Sequence, residues 1–214
     1  MSATSFELLS PTDAQLWYWD TPEAPMNMGN VCLFEGRPLF DASGAFRLAE
    51  VREAIASRVH RVPRFRRKIV EVPLLHPILV DDPDFDIANH VELVSLPEPG
   101  TEEQLKEVFA RVHEGRLDRT RPLWKIVFVE GLQDGRVGMI QKIHHAPFDG
   151  ATTVRVMERL FDTEPRPAAV EPPPPWDPAP LPHPLEVVAE VPTTTAASRG
   201  SQPIPSCSAE RTAP

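Results

Sequence analysis

The sequence predicts an α/β (α+β) fold, a mixed β-sheet flanked by helices, followed by a tail without regular structure. Three observations carry this reading. Short apolar runs with strand character alternate with segments whose apolar residues recur at spacings of three and four. Two adjacent strand-like runs are joined by a short loop bounded by Gly131 and Gly135, which is the pattern of a hairpin. Beyond Pro165 the periodicity stops and prolines crowd together.

The elements follow in order. Ser10-Pro11-Thr12-Asp13 has the hydroxyl cap and early proline of a helix start, and the helix would run from Ala14 to Asp20 with Trp17, Tyr18 and Trp19 on it. Thr21-Pro22 and Ala24-Pro25 end it. Val31 to Phe34 reads as a buried strand. Asp41 is expected to cap a helix reaching about Arg61, with Leu48, Val51, Ile55 and Val59 on one face. A basic cluster follows, made of Arg61, Arg64, Arg66, Arg67 and Lys68. Strand-like pieces at Ile69–Val72, Ile78–Val80 and His90–Leu96 come next, with Asp81-Asp82-Pro83-Asp84 as a turn. Thr101 and Gln104 form a capping box before a helix whose apolar face is Leu105, Val108, Phe109 and Val112. Pro122 separates it from the strands Trp124–Val129 and Val137–Ile143. Val154, Met157 and Phe161 mark one face of a last helix. The division expected is a lobe over residues 1–164 and a Pro-rich disordered tail over 165–214.

Composition excludes several classes. The chain has 214 residues, 41% of them hydrophobic, which is enough for a core. It has 26 prolines, about half of them after Glu164. A net charge of −9 argues against nucleic acid as a partner, because affinity for phosphates rests on Lys and Arg. Two cysteines, Cys32 and Cys207, make no disulfide framework, so a reducing compartment is expected. Met1 to Glu7 lacks the basic and apolar regions of a secretory leader. No run approaches the ~18 apolar residues of a membrane span, so membrane contact would be peripheral.

The chemistry concentrates in Ile143-His144-His145-Ala146-Pro147-Phe148-Asp149-Gly150, between a strand-like and a helix-like segment. Imidazole, with a reference pKa of about 6.5, can take a proton from a hydroxyl or thiol near neutral pH. In an extended strand, His144 and His145 face opposite ways, so only one looks into a given cavity. The carboxylate of Asp149 would brace the turn, with Arg64, Arg66 or Arg155 as its partner, and Gly150 lets the backbone leave the strand sharply. On the residues alone the run is open to two other readings. One is a satisfied histidine pair before an ordinary Asp-Gly turn. The other, less suited, is a metal site, because adjacent histidines cannot easily share one ion and no third close ligand is evident.

The run resembles the motif of the bacterial wax ester synthase/diacylglycerol acyltransferases, within the coenzyme A-dependent acyltransferases and peptide-synthetase condensation domains. The resemblance covers most of residues 6 to 162. It includes Leu9-Ser10-Pro11-Thr12-Asp13, Pro25-Met26-Asn27-Met28-Gly29, His76-Pro77 through Asp86, His90-Val91, Arg121-Pro122-Leu123-Trp124, Glu130-Gly131-Leu132 and Lys142-Ile143-His144-His145. It implies one lobe of a chloramphenicol-acetyltransferase-like two-lobe fold. It also implies a reaction. His145 acts as general base on an acceptor hydroxyl, His144 supports it, Asp149 holds the loop and Gly150 permits the turn. The donor is acyl-CoA as co-substrate, with no bound cofactor and no metal. The acceptor is diacylglycerol or a long-chain alcohol. The implied setting is cytoplasmic, peripheral at the inner membrane or at lipid inclusions. The tail, Ala146-Pro147-Phe148 inside the motif, and the absence of the second lobe depart from the family pattern. The last departure separates the family's function from the activity of this polypeptide, unless another chain supplies the missing lobe. The same residues leave room for a non-catalytic lobe that binds a partner or lipid surface, or for another condensation-type acyltransferase.

The remaining features have bland readings beside the functional ones. The basic cluster could attract a phosphate-bearing cofactor, but a solvated face with charge pairs is the plainer reading. Trp17, Tyr18 and Trp19 could meet a lipid surface or pack in the core. Asp81, Asp82, Asp84 and Asp86 lack the Gly and final Glu of a calcium loop and read as an acidic turn.

Overall fold

A computed structural model of the chain describes residues 6–148, 159–161 and 175–190. Ten elements bear on the site. They are β1 (Phe6–Leu8), α1 (Pro11–Trp19), β2 (Asn27–Glu35), α2 (Leu48–Val59), β3 (Arg67–Val70), β4 (Ile78–Asp81), β5 (Val91–Ser95), α3 (Glu102–Glu114), β6 (Trp124–Glu130) and β7 (Arg136–His144). A further helix, α4, spans Pro184–Glu190.

The strands form two sheets. The smaller is antiparallel in the order β1-β4-β3, and the larger is mixed in the order β2-β7-β6-β5, with β5 parallel to β6. The expected hairpin is present, since β6 and β7 pair antiparallel with Trp124 opposite Ile143. β2 runs antiparallel along the other side of β7, with Asn27 opposite His144. Strand β7 is therefore central, and nearly all of it is buried.

Alternation along β6 and β7 sends side chains to two separate cores. Trp124, Ile126, Phe128, Val137, Met139 and Ile143 pack with Ile55 and Val59 of α2. Val127, Val129 and Ile140 pack on the other face with Leu105 and Val108 of α3. A sheet covered on both faces needs apolar residues at both parities, and Met139 and Ile140, neighbours in β7, serve opposite cores. Helix α3 starts where expected. The Thr101 hydroxyl accepts the Gln104 N–H at 3.2 Å and the Gln104 side chain accepts the Thr101 N–H at 2.7 Å. The two bonds satisfy donors that the first turn of a helix otherwise leaves open.

Two expectations are corrected. Asp41 does not cap the second helix, which starts at Leu48 with its expected face inward. Its carboxylate instead accepts the N–H groups of Ser43 at 2.8 Å and Ala45 at 3.0 Å, closing a turn in which Gly44 takes φ of +85°. Short acidic side chains commonly close turns in this way. The carboxylate that closes this turn lies seven residues before the helix, which starts at Leu48. The second correction concerns the expected disordered tail. Within it, α4 buries Val187 against Val72, Ile78 and Val80. The Ala179 N–H donates to Asp81 at 3.2 Å, and Trp176 lies edge-on to Phe85 and under the guanidinium of Arg66. A few large anchors suffice to seat a proline-rich segment that has no periodic apolar face of its own. Of the helix expected at Val154, Met157 and Phe161, only Phe161 lies among the described residues, and it is half-buried against the α2 core.

Candidate active site

The site is built at the end of β7. His144 is the last strand residue, and its N–H donates to the Leu123 carbonyl at 3.0 Å. The chain then turns. The His145 N–H donates to the Met26 carbonyl at 2.8 Å, and the Phe148 N–H donates back to the His145 carbonyl at 3.3 Å. Ala146 enters the small core around Leu9, Trp17, Leu79 and Leu123, and Phe148 stands edge-on to Phe65 at 5.3 Å. Arg64 donates to the Pro147 carbonyl at 2.7 Å and pairs with Glu7. One of the three arginines suggested for the turn thus reaches it, through the backbone. Asp149, Gly150 and Arg155 lie outside the described residues.

The two histidines differ in burial, and strand alternation does not decide the difference, because β7 ends at His144. His144 is 1% exposed and His145 is half-buried. The His144 ring is held from both sides. Its Nδ1 accepts the Ala146 N–H at 3.0 Å, so the ring proton belongs on Nε2. That nitrogen points to the Asp20 carboxylate at 3.6 Å, an electrostatic contact slightly longer than a hydrogen bond. Trp17 closes on the ring at 5.9 Å between ring centres. Burial pushes the His144 pKa down to about 4, against the pull of Asp20 and with the help of Arg119 and Arg116. The His144 ring is thus neutral and enclosed near neutral pH. His145 is only half-buried, and its Nδ1, like Nε2 of His144, has no hydrogen-bond partner among the described residues.

Behind His144 stands a charged network that sequence reasoning missed. Asp20 is buried and accepts from Arg116 Nε at 2.7 Å and from the Met26 N–H at 2.9 Å. Burial opposes its charge, but the Met26 N–H, Arg116 and His144 outweigh this, and the Asp20 pKa falls below its usual value. Arg119 lies over the Trp17 ring at 3.2 Å and donates to the Trp17 carbonyl at 3.1 Å. A guanidinium in that place is attracted by the negative face of the indole. Lys142 is buried, and its ammonium donates to the carbonyl of Val112 at 2.6 Å and to that of Gly115. Burial lowers its pKa to about 8. Lys142 so pins the end of α3 and the loop that delivers Arg116 and Arg119. Beside this loop a cavity of about 580 Å³ opens, with Arg116, Lys142 and His90 in its wall; His145 does not line it.

The other candidate residues resolve into structure. The basic cluster is engaged in charge pairs, Arg67 with Asp81 at 3.0 Å and Lys68 with Asp82 at 2.8 Å. His90 stacks on both Phe85 and Trp124, which also meet each other at 6.4 Å, and its Nδ1 is 2.9 Å from the Trp124 carbonyl.

Comparison with known proteins decides the lineage. A sequence profile of the wax ester synthase/diacylglycerol acyltransferase catalytic domain matches residues 9–203. The chain belongs to this family. Among curated relatives it is 36% identical over 163 residues to "Probable diacyglycerol O-acyltransferase tgs3" of Mycobacterium tuberculosis, covering 75% of this chain and 58% of that protein. It is 34% identical to "Probable diacyglycerol O-acyltransferase tgs2" of the same organism, covering 77% of this chain and 36% of tgs2. Among solved structures it is similar to the wax ester synthase/diacylglycerol acyltransferase from Marinobacter aquaeolei VT8, with 28% identity, a TM-score of 0.61, and coverage of 80% of this chain and 42% of that one. The starter condensation domain of rhizomide synthetase RzmA shares the fold, with a TM-score of 0.57 at 14% identity. The chain therefore spans between 36% and 58% of the length of these family members, the family expected from its motifs.

Proposed function

We propose that this chain is the N-terminal lobe of an O-acyltransferase that moves a fatty acyl group from acyl-CoA to the hydroxyl of diacylglycerol or a long-chain alcohol. His145 is the general base. Its imidazole takes the acceptor's proton while the oxygen attacks the thioester carbonyl. The tetrahedral intermediate collapses, the thiolate leaves, and the imidazolium returns the proton to sulfur. No covalent acyl-enzyme is needed.

One observation carries the assignment to His145. Of the two histidines, His144 is enclosed, with one ring nitrogen bonded to the Ala146 N–H and the other facing Asp20, whereas His145 reaches the surface of the lobe at the strand end. The test is turnover of palmitoyl-CoA with a fatty alcohol or diacylglycerol, by this chain alone and with the second lobe of a relative added. His145→Ala is expected to reduce the rate about a hundred- to ten-thousandfold. Turnover that survives this substitution removes His145 from the reaction. The short span relative to family members favours a second reading, a lobe that is silent until completed, and the two arms of the assay separate these cases.

A peripheral lipid surface is the setting that fits the exposed face. Among the described residues, no helix is long and apolar enough to cross a membrane. Trp17 is buried, but Tyr18 and Trp19 at the end of α1 are each 56% exposed, and Leu74 projects fully from a turn whose cleft Tyr18 also lines. Amphipathic aromatics favour lipid–water boundaries. Trp19→Ser with Leu74→Ser is expected to lower binding to phosphatidylcholine–diacylglycerol vesicles in a flotation assay. Unchanged flotation would assign this face to something other than lipid.

A further inference from the structure

The neighbours of His144 show a division of labour that the motif does not spell out. The Asp20 carboxylate reaches the end of β7 by two routes. Facing Nε2 of His144 at 3.6 Å, it stands on the side of the ring opposite the Nδ1 that receives the Ala146 N–H, and its charge favours a proton on Nε2. It also holds the N–H of Met26, the residue whose carbonyl receives the His145 N–H. The carboxylate itself is set by Arg116, whose loop is pinned by Lys142. The backbone on either side of the His145 ring therefore depends on one buried acid 96 residues from its arginine.

We propose that Asp20 is a positioning residue: held by Arg116, it fixes His144 with its proton on Nε2 and, through His144 and Met26, fixes the backbone that presents His145. The charged groups acting on the His144 ring are Asp20 after α1, and Arg116 and Arg119 after α3. Only Asp20 is an acceptor. The Ala146 N–H favours the same ring form from the other side, so without Asp20 one of the two groups that disfavour a proton on Nδ1 is lost and the share of that form rises. The link to catalysis rests on the reading of His145 given above. The arrangement of ring and backbone does not.

The experiment therefore reads the ring rather than turnover. In the full chain labelled with nitrogen-15, long-range proton–nitrogen spectra report which imidazole nitrogen of His144 carries the proton. The expected result is Nε2–H, with the ring neutral throughout the neutral pH range. Asp20→Ala is expected to populate the Nδ1–H form and to speed Ala146 amide exchange by about three- to tenfold, the loss of one hydrogen bond. A wild-type ring protonated on Nδ1 overturns the proposal, as does a folded Asp20→Ala protein with ring form and exchange unchanged. Should Asp20→Ala fail to fold, His144→Asn and His144→Leu replace it. The Asn oxygen can stand where Nδ1 stood and should keep the Ala146 amide protected, whereas Leu should not. Equal protection in the two variants overturns the proposal. Failure of His145→Ala to lower turnover would leave all these readouts untouched, so the two ideas fail separately.

Discussion

His144 is enclosed as a neutral ring, which makes it a titration liability. In the unfolded chain its pKa is near 6.5, and in the fold burial holds it at about 4. Between these values the unfolded state binds the extra proton, so stability falls as pH drops from 6.5 toward about 4 and is level again below. A gap of this size corresponds to about 3 kcal/mol at the acid end of the window. His90 and His113 are also lowered, chiefly by burial, and act in the same direction. Asp20 is held below its usual value and weakens the fold only below about pH 3.8, outside this window. Urea midpoints measured between neutral pH and the acid end of the window are expected to fall, and His144→Asn should flatten part of the slope. A slope unchanged in that variant would show that the ring does not titrate as a buried neutral group. At this scale the sequence was legible where chemistry is local. The adjacent histidines were legible as a motif, and they differ in burial, the first enclosed and the second half-buried. Asp20 and Arg116 left no trace, because an ion pair between residues so far apart in the chain has no periodicity and no spacing rule.

The elements were legible where a local signal agreed with packing. Thr101 and Gln104 announce α3 because both hydrogen bonds close within three residues. The loop between Gly131 and Gly135 announces the hairpin because both glycines take positive φ. Asp41 misled because the same carboxylate serves a turn or a helix cap, and only Ser43 and Gly44 decide which. The pairing of β2 with β7 was not legible at all, since its partners are far apart in the chain. Gly29 shows how tight that pairing is. A Cβ built there would overlap both the Gln141 carbonyl oxygen and the His113 ring. The ring can swing, but the carbonyl belongs to β7. Gly29→Ala is therefore expected to cost about 1–3 kcal/mol, read as a lower urea midpoint. It should also disturb the Met26 and His145 amides a few residues along the ladder. A variant as stable as the parent would mean that β2 shifts freely on β7.

At the scale of the molecule, the stretch that composition marked as tail behaves, over its described residues, as part of the lobe. Trp176 is set against Arg66 at 4.5 Å and edge-on to Phe85, the ring that stacks on His90 and also meets Trp124 of β6 at 6.4 Å. Val187 is fully enclosed by Val72, Ile78 and Val80, on the small sheet that also carries Glu7, the partner of Arg64. Composition cannot reveal this, because two isolated anchors have no period to detect. The docking gives the small sheet a cover at Val72, Ile78 and Val80, a cluster distinct from the one that receives Trp17 of α1. A three-stranded sheet with one face bare is a weak unit, so removing the cover should be felt there first. Val187→Ala removes two buried methyl groups and is expected to cost about 1–2 kcal/mol. Truncation after Glu164 should cost more and should raise amide exchange in β4 before it does so in β7. The comparison that decides is hydrogen exchange of the full chain against the truncated one. Equal protection of Ile78 to Val80 in the two would mean that α4 rests on the sheet without supporting it.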